Sequence, residues 1–171
     1  MQISMYSASV PVFVQFLTSL SAILKKAADH CAAKKIDPSV LVNARLTPDM
    51  FALARQVQIA TDHAKGAAAR LSGSEVPSFP DTETTFEELQ ARIAKTLDYI
   101  QGFKPGQIDG SDDKPIHIKA GKHELDFTGS VYLLHFAMPN FYFHVTTAYG
   151  ILRHCGVEVG KMDFMGPPPK K

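Results

Sequence analysis

The chain has no tryptophan and only two cysteines in 171 residues, and its charges almost cancel, with 18 Lys plus Arg against 17 Asp plus Glu. Each shortage excludes something. Cys31 and Cys155 lie far apart and neither belongs to a CxxC or Cys/His cluster, so no structural zinc site is expected, and reduced thiols suit a cytoplasmic protein. A net charge of +1 provides no field to draw in nucleic acid or an anionic membrane, and neither partner is expected. No unbroken apolar run of about 18 residues argues for a membrane span. The opening MQISMYSASVPVFVQFLTSLSAILKK lacks the basic leader of a signal peptide. Phosphate loops, GxGxxG, GxSxG and HExxH are absent.

What is present is ordinary for a folded domain: 45% hydrophobic and 20% charged residues, in a chain long enough to bury about two thirds of its unfolded surface. A single domain over residues 1–171 is expected. Val10, Phe13, Val14, Leu17, Leu20 and Leu24 recur at spacings of three and four and predict a first helix to about Lys35. In TPDMFALARQVQIATDHAKGAAARLSG, Thr47, Pro48 and Asp49 have the order of a helix cap and first turn, and Gly73 the place of a stop. Thr84 or Thr85, followed by Glu87 and Glu88, opens a third helix to about Gln101. PIHIKAGKHELDF alternates on either side of Ala120 and Gly121, which predicts a hairpin pairing Ile116 with Leu125 and His117 with Glu124. A fourth helix ends at Gly156, and from about 157 the chain reads as an irregular tail. The fold class is therefore all-α, a four-helix arrangement, up-and-down or related, with a short β-hairpin before the last helix.

Polar residues inside the last helix draw attention to function. At about 100° per residue, Leu133, Ala137, Asn140, Phe141, His144, Ala148, Ile151 and Cys155 share one face, so Asn140 and His144 point into the core one turn apart. A buried polar group left unpaired costs about 1–3 kcal/mol, so the pair needs partners. One reading is a hydrogen-bonded pair that fixes register; the other is a central pocket in which His144 binds a metal or exchanges a proton and Asn140 orients it. Pro139 removes a backbone donor and predicts a kink. On the second helix, Arg55, Gln58 and Asp62 form a polar stripe, which reads as a solvated face or, if neighbours cover the helix on both sides, as a source of Gln58 or Asp62 for the pocket; Thr61, nearer the apolar face, could add a hydroxyl. His63 and His30 fall on polar faces, away from the core.

The stretches ARLTPDMFALARQVQIATDHAKGAAARL, DTETTFEELQARIAKTL and YLLHFAMPNFYFHVTTAYGILRHCGVEVGKMDF resemble those of the DinB/YfiT-like metalloenzyme superfamily, and within it a bacterial family of uncharacterised proteins. The resemblance spans nearly the whole chain. It implies a DinB-like bundle and a site of three metal-binding histidines, one on the second helix and two in an HxxxH pair on the fourth, followed by Leu-Arg. His144 with Leu152 and Arg153 matches the second member of that pair, and Asn140 stands in place of the first. Metal ligands at His144, Asp62 and Gln58, with a weakly bound divalent metal or none, are the resulting expectation, because an amide is a poorer ligand than imidazole. The functions this leaves are a degenerate metal-dependent enzyme, or a non-catalytic module that binds a small molecule or pairs as a homodimer. Small residues in AKGAAA offer a face for such pairing.

Overall fold

The computed structural model describes residues 3–167. Four long helices dominate it: α1 Val10–Lys34, α3 Leu53–Ser72, α4 Phe86–Gln101 and α7 Met138–His154, with short helices α2 Pro38–Val42, α5 Pro105–Ile108, α6 Gly129–Tyr132 and α8 Lys161–Met165. The strands β1 Pro115–Ala120 and β2 His123–Thr128 form the hairpin. Around the bundle the order is α1, α4, α3, α7, with α7 closing back on α1. The common core holds Phe13, Leu17, Leu20, Leu53, Val57, Leu89, Ile93, Phe141 and Ala148, all fully enclosed.

The helices are not joined up-and-down throughout. Thr61 and Asp62 both meet Arg92, while Phe79 lies under the ammonium groups of both Lys65 and Lys95. Residue numbers thus rise together along the contact, so α3 and α4 are parallel. The connector 73–85 must run back along the bundle, and it does so as a strap laid over the α3–α4 seam. Gly73 starts it in a left-handed conformation, φ 82°, that returns the chain after the last turn of α3. At its far end Thr85 accepts from the Glu88 amide and Glu88 accepts in return from the Thr85 amide, a reciprocal cap that starts α4 where the sequence places it.

Three local expectations are corrected. Thr47, Pro48 and Asp49 do not open α3; the Thr47 hydroxyl bonds to Asp49 in a separate turn, and α3 begins at Leu53, whose amide is anchored to the Ala44 carbonyl. The hairpin pairs Ile116 with Phe127, His117 with Asp126 and Ile118 with Leu125, two residues away from the expected register. A slip of two preserves which side chains share a face, so Ile116 and Ile118 still point into the core. The segment after 157 also has structure: Val157 and Val159 are buried, and α8 packs on α1 with Phe164 against Phe16 and Tyr149. Residues 168–171 at the end of that segment lie outside the described residues.

α1 is long and apolar enough on average to cross a membrane, yet Leu17, Leu20 and Leu24 are wholly enclosed by the bundle. It packs as a core helix. Ala64, Ala67, Ala68 and Ala69 are likewise fully buried within this one chain, so AKGAAA is an internal packing surface and not an outer face for pairing.

Candidate functional site

Before α7 the helix is distorted, with Leu133–Ala137 forming a π turn. Pro139, two residues on, cannot donate a backbone hydrogen bond, and Asn140 turns its side chain back to donate from Nδ2 to the Phe136 carbonyl at 2.7 Å. The expected kink is thus a π turn followed by a proline. Asn140 is half-buried and serves this backbone; it does not orient His144.

That task falls to Gln56. His144 is 8% exposed, and its Nδ1 lies 2.7 Å from Gln56 Oε1. The Gln56 amide donates through Nε2 to the Phe51 carbonyl at 3.0 Å, which fixes which end of the amide faces the histidine. Oε1 can only accept, so His144 Nδ1 carries the proton and donates it. Nε2 keeps its lone pair. This second contact through Nδ1 is what a histidine needs when its other nitrogen is to bind a ligand.

His63 is the neighbour that sequence reasoning misplaced. Its ring lies 6.0 Å from that of His144 and within 14° of parallel, with Phe136 at 5.9 Å on its edge. Burial, then the nearby His144 and Arg70, lower the His63 pKa to about 4. Burial, then Arg55, lower that of His144 to about 4. Both imidazoles are neutral at physiological pH. The buried side-chain polar atoms without a partner among the described residues are the hydroxyls of Ser19 and Ser111. The unbonded imidazole nitrogens therefore retain contact with solvent. A spacing of seven along α3 puts Gln56, His63 and Arg70 on one stripe facing α7, and the alanines of this helix, buried all round, were the signal that α3 is covered on more than one side.

Gln58 and Asp62, expected beside His144, face the opposite seam. Asp62 pairs with Arg92 Nη2 and with Lys65 Nζ, each at 2.9 Å, and Gln58 donates to Glu83 at 3.0 Å. Thr61 accepts from Arg92 Nε at 2.7 Å. Arg92 is the residue that draws them there. Its guanidinium is almost fully buried and also meets Asp81 and Glu83, while Arg55 pairs with Asp81. A buried cation needs such compensation, so these groups are committed to Arg92 and unavailable to the histidine pocket.

The nitrogen donors that the structure brings together between α3 and α7 are the two imidazoles. Among the described residues no three His, Cys, Asp or Glu converge to hold a metal ion. This set does not fit a tightly held transition metal, for which three strong protein ligands are usual.

The four-helix bundle with a hairpin before its last helix defines a DinB-like helical protein. A crystal structure of a DinB family member protein from Shewanella denitrificans superposes with a TM-score of 0.87 at 45% identity, covering 97% of this chain and 94% of that one. The model of a domain of unknown function, DUF1993, matches residues 5–165, and the chain belongs to that family. No curated protein matches it.

Proposed function

We propose that the protein is a degenerate relative of metal-dependent DinB-like enzymes, in which His63 and His144 survive as nitrogen donors and the pocket between α3 and α7 binds a small molecule. The observation that carries this is the fixed chain from the Phe51 carbonyl through Gln56 to His144 Nδ1, which leaves Nε2 ready to accept a hydrogen bond or a weak metal bond. With its pKa lowered to about 4, His144 is poorly matched to general-base work near neutral pH, where a catalytic pKa close to the working pH is most effective. Recognition by neutral imidazole suits it better. The thiols of Cys31 and Cys155 are unpaired, which agrees with a reducing compartment such as the cytoplasm.

Calorimetric titration of Zn and Ni into protein without a histidine tag tests the reading. The expected result is weak uptake, saturating only with metal in excess, and lost in both His144→Ala and His63→Ala. Tight stoichiometric uptake, or uptake unchanged in His144→Ala, overturns it.

A further inference from the structure

Gly66 is a costly residue for the middle of a buried helix, where glycine is about 1 kcal/mol worse than alanine. The space it leaves is taken by Arg70. A Cβ on Gly66 would stand 2.4 Å from Arg70 Nη1, so the guanidinium lies folded back against the helix in space that only glycine leaves. Helical side chains lean toward the N-terminus, and this one reaches the level of the residue one turn before it. On its other side it donates from Nη1 to the Tyr132 hydroxyl at 3.1 Å and lies 5.9 Å from the centre of that ring. Tyr132 is 1% exposed and stacks on Phe136 at 6.0 Å, the same ring that touches His63.

Arg70 thus ends the stripe, its guanidinium folded back toward His63. The other basic residues of α3 are neutralised, Arg55 by Asp81 and Lys65 by Asp62. Arg70 has no carboxylate within ion-pair distance among the described residues; its one polar partner is a neutral phenol. A half-buried guanidinium held in a fixed position with N–H groups to spare is suited to a planar, two-oxygen anion.

We propose that Arg70, braced by Gly66 and Tyr132, is an anion subsite beside the histidine pair, and that the small molecule bound there carries a carboxylate. This rests on the histidine pocket proposed above and names the class of ligand it takes. The planar fork of the guanidinium matches the two oxygens of a carboxylate. His63 and Gly66 are three residues apart, so the carboxylate and the imidazoles are separated by roughly 5 Å along the helix axis, the span of a short hydroxy, amino or thiol acid.

The test is long-range 1H–15N NMR of the histidine rings in the full chain, titrated with sodium acetate, sodium phosphate and sodium chloride at matched ionic strength. Acetate is expected to move the His63 signals saturably and chloride is not. Arg70→Gln should weaken the acetate response about tenfold or more. Arg70→Lys, which keeps the charge but loses the fork, and Tyr132→Phe, which frees the guanidinium, should each weaken it by a smaller factor. Lys119→Gln on the exposed hairpin should leave it unchanged. An acetate midpoint unaltered in Arg70→Gln, no saturable response in the parent, or phosphate bound more tightly than acetate overturns the proposal. If Arg70→Gln fails to fold, unchanged midpoints in both Arg70→Lys and Tyr132→Phe overturn it equally. Zinc added to the same samples separates the two readings: zinc perturbing His144 without any acetate response removes the Arg70 subsite alone, and a saturable acetate response without any zinc effect supports the subsite while removing the metal lineage.

Discussion

The two sides of α3 treat polar groups in opposite ways. Toward α4 and the strap, Arg55, Gln58, Thr61 and Asp62 are bound to Arg92, Asp81 and Glu83, Lys65 is bound to Asp62, and each of these charges meets an opposite one. Toward α7, Gln56, His63 and Arg70 face neutral partners, with an imidazole lone pair and guanidinium hydrogens unspent. The first side is saturated and holds the strap to the bundle. The second keeps polar groups whose partners among the described residues carry no charge.

The comparison is broken most violently at Arg92. Arg92→Met is expected to destabilise the protein by about 3–5 kcal/mol, because Asp62, Asp81 and Glu83 lose the cation they surround; urea unfolding measures this. A loss below about 1 kcal/mol would mean that the seam is not the closed network described above.

Acid sharpens the contrast. A histidine whose folded pKa is about 4 binds fewer protons than in the unfolded chain, where its pKa is near 6.5, so stability falls as pH drops from about 6.5 toward 4. Between pH 7 and 5 each histidine should contribute a loss of roughly 2 kcal/mol. His63→Gln and His144→Gln should each flatten the dependence by their share. A parent protein equally stable at both pH values would contradict the neutral, desolvated pair.

Gln56→Leu should cost about 1–3 kcal/mol, since it leaves the His144 Nδ1–H and the Phe51 carbonyl without partners. It should also release the His144 tautomer, which ring nitrogen shifts report directly. Asn140→Ala is expected to cost about 1 kcal/mol with no effect on those shifts. A change in the His144 tautomer in the Asn140 variant would restore to Asn140 the orienting role that the structure gives to Gln56.

How far the sequence reveals this molecule differs from element to element. Periodic spacing locates α1 and α4 closely, and Thr85 with Glu88 marks the start of α4, because these signals are local and nothing opposes them. The start of α3 is hidden, since Thr47, Pro48 and Asp49 have the chemistry of a cap while the Leu53 amide is bound to Ala44, a contact between segments. The hairpin register is hidden because alternation has period two and a shift of two leaves the pattern intact. In the site, His144 is legible as a polar residue on an apolar face. Its partners are not, because α3 is enclosed by both α4 and α7, so a polar stripe on it does not tell which neighbour each residue meets. Asp62 and Gln58 turn to the buried Arg92 and the strap, while His63, read as lying on a polar face, meets His144.

The π turn at Leu133–Ala137 has a consequence for insertions and deletions. One residue of α-helix turns the chain by about 100°, so a wide turn acts as a phase adjuster between the hairpin and the final helix. Five residues of π turn sweep about the same angle as four of α-helix, so removing one residue there, and letting the segment relax to ordinary α-helix, would leave both His144 and the hairpin in phase. Ile116 and Ile118 would stay in the core they now enter, whereas removing a residue from the regular helix between Asn140 and His144 would turn the hairpin out of it by about 100°.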